Sequence, residues 1–151
     1  MTATLPQAPH IVGVGASAGG LEAMLPMFAR VRPTGRLAYV VAQHMSPTHR
    51  SLMAEILARE TRFPVCEIED GQRPELDVVY IIPPGSNLVM KQGCFSLTTT
   101  VPEISPKPSI NLLFQSLADE YDDRAVGIVL SGTGSDGTRG LRAIKSVGGG
   151  L

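Results

Sequence analysis

An apolar run, His10-Ile-Val-Gly-Val-Gly15, passes through the turn Gly13-Val-Gly-Ala-Ser17-Ala-Gly-Gly20 into Leu21-Glu-Ala-Met-Leu-Pro-Met-Phe28. This succession of strand, glycine turn and helix constrains the fold more than any other feature. A short apolar run followed at once by helical spacing is half of a parallel strand-helix-strand unit. The pattern recurs near the other end, where Ala125-Val-Gly-Ile-Val-Leu130 leads through Ser131-Gly-Thr-Gly-Ser-Asp136-Gly137 into the helical spacing of Leu141-Arg-Ala-Ile-Lys145. An uninterrupted apolar run of that kind reads as a strand covered on both faces and central in its sheet.

Between these units the chain supplies a second strand, Leu37 to Gln43, a helix over Ser51 to Ala58, and strands at Val65 to Glu69 and Val78 to Ile82. Leu88 to Lys91 and Cys94 to Leu97, joined by Gln92-Gly93, predict an antiparallel hairpin near a sheet edge. Val101 to Pro108 holds three prolines and reads as a loop, after which Ser109 is placed to cap a helix over Ile110 to Ala118. The expected fold is therefore α/β, doubly wound, with a mostly parallel sheet, helices on both faces and an antiparallel edge hairpin. Length predicts one domain over 1–151, and the closing Gly148-Gly-Gly-Leu151, which should introduce a further strand, predicts a domain truncated at the C-terminus.

Composition narrows the function by exclusion. A net charge of -1 gives no electrostatic footprint for nucleic acid or an anionic membrane. The two cysteines, Cys66 and Cys94, lie in strand-like runs without metal-ligand spacing, so neither a disulfide framework nor a zinc site is indicated. Residues 1–9 lack a signal-peptide pattern and no apolar run reaches membrane-spanning length, so the expected location is cytoplasmic, with no membrane insertion.

Ser17 lies on a strand-to-helix turn whose Gly15-Ala-Ser17-Ala-Gly19 fits the nucleophile elbow G-x-S-x-G. Glycine-rich turns also hold phosphate, but G-x-G-x-x-G is missed by one residue. The second strand ends in Gln43-His44-Met45, with no acid for a ribose hydroxyl. Neither turn contains the lysine that a phosphate site favours. In an open parallel sheet, residues just past the carboxyl ends of strands converge on one crevice. Ser17 follows the first strand, His44 the second and Asp136 the apolar run ending at Leu130: a nucleophile, a base and an orienting carboxylate, the types that acyl transfer needs. Taken singly, His44 also reads as a strand-end polar residue and Asp136 as a turn or cap carboxylate. His49 lies further into the loop, and His10 precedes a strand at the opposite end. Backbone N–H groups near Ala18 and Thr133 would form the oxyanion hole. The chain order serine, histidine, aspartate departs from that of lipases and esterases sharing the elbow.

Gly15-Ala-Ser17-Ala-Gly-Gly20, Gln43-His44-Met45, Pro108-Ser109-Ile110 and Leu130-Ser-Gly-Thr-Gly-Ser-Asp136-Gly137 together resemble the catalytic domain of chemotaxis protein-glutamate methylesterases (CheB-type), over Ile11 to Gly149. The resemblance implies a serine hydrolase acting on glutamyl γ-methyl esters of chemoreceptor cytoplasmic helices, with glutamine deamidation as a related activity and no cofactor or metal. It makes Ser17 the nucleophile, His44 the base and Asp136 its partner. Regulated members carry an N-terminal receiver domain, for which the residues before Ser17 leave no room. The near-terminal serine resembles the subgroup in which this domain leads a larger protein, often ahead of a receptor methyltransferase domain. Arg50, Lys107 and Arg139 are candidates for docking an acidic receptor helix. The alternative is a catalytically inactive signalling or binding module of the same fold.

Overall fold

The computed structural model describes residues 9–16, 20–43, 53–98, 109–130 and 137–151. Its elements, in chain order, are β1 (His10–Ala16), α1 (Leu21–Arg30), β2 (Leu37–Gln43), α2 (Met53–Glu60), β3 (Val65–Glu67), β4 (Val79–Ile81), β5 (Asn87–Lys91), β6 (Cys94–Thr98), α3 (Ile110–Tyr121), β7 (Ala125–Leu130) and α4 (Thr138–Ser146). Five strands form a parallel sheet in the order β3-β4-β2-β1-β7. The fold is the doubly wound α/β architecture that the alternation of strands and helices predicts.

Side-chain alternation along the strands sorts the core onto two faces. Val12, Val14 and Ala16 of β1 and Tyr39 and Val41 of β2 join Met24 and Phe28 of α1 and Met53 and Leu57 of α2. On the other face Ile11, Val40 and Ala42 meet Leu113, Phe114 and Leu117 of α3, Ile144 of α4 and Leu88, Met90 and Phe95 of the hairpin. Burying a phenylalanine as fully as Phe114 contributes roughly 1.5–3 kcal/mol.

Glycines set how closely α3 lies on the sheet. A Cβ at Gly13 would stand 2.7 Å from Phe114 Cε1, and one at Gly15 would stand 2.6 Å from Ile110 Cγ2. The G-x-G pair that invites a cofactor reading thus makes room for a helix. Gly140 does the same between α3 and α4, where a Cβ would fall 2.5 Å from Phe114 Cβ. That atom is fixed to the α3 backbone and cannot swing aside. Gly140→Ala is therefore expected to destabilise by about 1–3 kcal/mol despite alanine's better helix propensity, read as a lower urea midpoint.

The hairpin forms as expected, with Asn87↔Thr98 and Lys91↔Cys94 closing an antiparallel ladder around Gln92-Gly93. It makes a separate two-stranded sheet instead of joining the main one. Side chains tie it along α3: Ser116 Oγ accepts from Met90 N at 3.0 Å, and Glu120 Oε1 accepts from Gln92 N at 3.0 Å. These bonds satisfy edge N–H groups that a neighbouring strand would otherwise take.

One expectation is corrected. Among the described residues β7 is the outermost strand beyond β1, not a central one. Its faces are covered, Val126, Ile128 and Leu130 packing against one core and Gly127 lying beneath Ile144, Leu141 and Phe114 on the other. An apolar run reports covered faces and carries no information about lateral neighbours. The outer edge of β7 does begin to pair: Val126 bridges Gly150 in parallel, with Gly127 N donating to Gly150 O at 2.9 Å and Gly150 N to Ala125 O at 3.0 Å. The glycine run delivers the chain there. Gly148 at φ +84° closes α4 in a Schellman arrangement, with Gly149 N donating to Ile144 O and Gly148 N to Lys145 O.

Candidate active site

The carboxyl end of the sheet is defined by three strand termini in register. Ala16, the last residue of β1, is the Cα partner of Gln43, the last of β2, and of Leu130, the last of β7. Adjacent strand ends stand about 4.8 Å apart, so the ends of β2 and β7 lie one on each side of the end of β1, each of the three followed in the chain by a polar residue. In sequence those residues are Ser17, His44 and Ser131. The predicted site residues Ser17, Ala18, His44, Thr133 and Asp136 themselves lie outside the described residues, as do His49, Arg50 and Lys107. Arg139 is described, exposed on the first turn of α4.

Helix N-termini gather at this same end. α1 follows β1 and α4 follows β7, while α2 and α3 run back to the amino ends of β3 and β7. Their macrodipoles bias the end of the sheet toward negative charge, which suits a developing oxyanion. Two of these termini are locked together. Asn111 Oδ1, in the first turn of α3, accepts from Gly137 N and from Gly140 N, each at 2.9 Å, at the start of α4. The start of α3 is itself pinned: Ser109 Oγ accepts from Leu112 N at 3.2 Å as the expected cap, and Ser109 N donates to Asn87 Oδ1 at 2.6 Å. Asn87 is buried at the start of β5.

The competing polar residues are engaged elsewhere. His10 opens β1 at the amino end, where its N–H donates to Arg36 O, and with Thr34, Arg36 and Leu37 it lines a shallow depression of about 530 Å³. That depression lies at the opposite end of the sheet from the three strand termini. Asp77 binds Thr34 N and Gly35 N at the same amino end, and Asp70 Oδ1 accepts from Leu97 N at 2.9 Å, fastening the hairpin. Asp119 accepts from Gln115 Nε2 along α3. Both cysteines are free thiols. Burial, then the nearby Glu69, pushes the Cys66 thiol up from its ordinary value, the reverse of what activates a nucleophile.

Sequence reading missed Asn111 and Asn87. An asparagine in a first helical turn is unremarkable by composition, and its acceptors' partners lie 26 and 29 residues away.

The fold has a close counterpart among solved structures. The catalytic domain of Thermotoga maritima CheB methylesterase superposes with a TM-score of 0.83 at 28% identity, covering 94% of this chain and 77% of that one. A relative from Rhodopseudomonas palustris, named protein-glutamate methylesterase/protein-glutamine glutaminase of group 2 operon, is 35% identical over 149 residues, covering 95% of this chain and 38% of its own length. A relative of the same activity name from Maricaulis maris is 34% identical over 145 residues, covering 93% of this chain and 36% of itself. The chain thus spans well under half the length of these relatives. Residues 12–151, from within β1 through the residues that follow α4, match CheB methylesterase as a family; with the same sheet and helices in the Thermotoga domain, the chain belongs to the CheB methylesterase family.

Proposed function

We propose that this chain carries the hydrolytic site of a protein-glutamate methylesterase, with Ser17 as nucleophile, His44 as general base and Asp136 as the carboxylate that orients His44. The observation that carries the reading is the register of Ala16 with Gln43 and with Leu130, which brings the departures of β1, β2 and β7 to one line. Family membership supports it, as do the relatives named for this activity.

In the reaction His44 takes the Ser17 hydroxyl proton as Oγ attacks the carbonyl carbon of a glutamyl γ-methyl ester. In this reading the tetrahedral oxyanion is held by backbone N–H groups at Ala18 and Thr133. The intermediate collapses with the ester C–O bond breaking, His44 returning its proton to methanol. Water, deprotonated by His44, then cleaves the acyl-enzyme and leaves a glutamate. A glutamine substrate follows the same course with ammonia as the leaving group, in keeping with the second activity in the relatives' names. No step requires a metal or cofactor.

The substrate is a methylated chemoreceptor helix in the cytoplasm, and exposed Arg139 at the start of α4 is placed to meet its acidic face. No described helix is long and apolar enough to cross a membrane. The test is methanol release from methylated receptor, run beside active-site labelling with a fluorophosphonate. The expected outcome is turnover together with a single adduct on Ser17. Turnover without labelling at Ser17, or neither, refutes the assignment.

A further inference from the structure

The start of α4 lacks the device that usually closes a helix. Its N-cap, Gly137, has no side chain, and no side chain of its own first turn caps it. In an ordinary N-terminus the cap side chain accepts from the N–H three residues on, and the residue there reaches back to the cap's N–H. In α4 those two donors are Gly140 N and Gly137 N, and both are taken by one oxygen from another helix, Asn111 Oδ1. The arrangement is built for closeness. A Cβ on Gly137 would meet Ile110 Cγ2 at 3.2 Å, and one on Gly140 would strike Phe114. Residues able to cap themselves would hold the two helices too far apart for Asn111 to reach.

Gly137 is the first described residue after Asp136, at φ +104° and buried. The Gly137 N–H belongs to the peptide group that follows Asp136 in the chain, so Asn111 holds the residue next to Asp136. The Asn111 end is in turn fixed by Ser109 on buried Asn87 of β5. We infer that Asn111 is a positioning residue, which sets the Asp136 backbone from α3 so that its carboxylate meets His44. The inference rests on the hydrolase reading above and adds to it a residue outside the triad. Asn111 acts on this end of α4 through the Gly137 and Gly140 N–H groups that its oxygen accepts from.

The experiment measures kcat and KM for methanol release in Asn111→Leu, Asn111→Asp and Asn111→Leu/Asp136→Asn, using the protein as its gene encodes it. Leucine keeps the branched shape and removes the acceptor, and kcat is expected to fall on the order of 10²-fold, the cost of misplacing a catalytic group by about an ångström. KM should stay within about threefold, because the only proposed receptor contact near Asn111 is the exposed Arg139, and one exposed charge contributes little. Aspartate keeps an oxygen for both donors at a helix N-terminus and is expected to hold kcat within about tenfold of the unsubstituted protein. The double variant should be no slower than Asp136→Asn alone by more than about threefold, since both changes disable one unit. If Asn111→Leu fails to fold, Asn111→Ser, whose hydroxyl falls short of the two donors, carries the same expected direction. Unchanged kcat in Asn111→Leu, equal losses in the leucine and aspartate variants, or losses that multiply in the double variant overturn the inference alone. An unsubstituted protein that neither releases methanol nor labels at Ser17 overturns the hydrolase reading and this inference with it.

Discussion

Ser17→Ala is expected to reduce methyl-ester hydrolysis by about 10⁶-fold, the loss seen when the nucleophile of a serine hydrolase is removed, and to leave the fold intact. Alanine is already the neighbour on both sides of Ser17, so the substitution adds no bulk to the turn. The packed elements on either side do not depend on the hydroxyl: β1 ends at Ala16, which is buried, and α1 begins at Leu21 with Gly20 O accepting from Met24 N at 2.9 Å. The thermal midpoint is expected to move by no more than about 2–4 °C, the equivalent of about 1 kcal/mol or less in a domain of this size. Substrate affinity should survive, since removing one oxygen leaves the rest of the proposed receptor-binding surface unchanged. Methanol release measured with excess receptor therefore separates lost chemistry from lost binding. Demethylation by Ser17→Ala at the unsubstituted rate removes Ser17 from the mechanism, whatever the family membership.

The sequence made the frame legible where a single local rule governs. The apolar runs of β2 and β7 begin and end where hydropathy places them, and Ser109 caps α3 as its residue type predicts. β3 and β4 are shorter than their apolar runs, at Val65–Glu67 and Val79–Ile81, and pair with each other over just those three residues. Local rules fail where the deciding partner is distant. Gly13 and Gly15 carry the same demand, no Cβ, whether a phosphate or a helix must approach, and only the position of Phe114 and Ile110 distinguishes the two. Asn111 looks like any first-turn asparagine until Gly137 and Gly140 are brought beside it. The candidate triad was legible as three chemical types after three strands. The register of the strand ends adds that all three departures share one end, and the residues that would close the geometry are those whose chemistry the substitutions must read.

Asp136→Asn is expected to lower kcat on the order of 10⁴-fold while the protein stays folded. In the proposed triad the carboxylate would accept the imidazole N–H of His44 and so fix the tautomer able to take the Ser17 proton. An asparagine amide in its place donates instead, turns the imidazole to the wrong tautomer and leaves the imidazolium that forms during attack without a counter-charge. The structural cost is small by comparison. Asp136 immediately precedes the N-cap of α4, where a carboxylate favours the helix dipole by about 0.3–1 kcal/mol. The two N–H bonds that hold the start of α4 go to Asn111 and not to Asp136, so the helix keeps its closure when the charge is removed. Fluorophosphonate labelling supplies the second readout: Ser17 remains present but is no longer activated, so labelling slows with turnover instead of disappearing. Asp136→Asn with unchanged kcat and labelling would assign the carboxylate to the helix terminus alone and leave His44 to be oriented by some other acceptor.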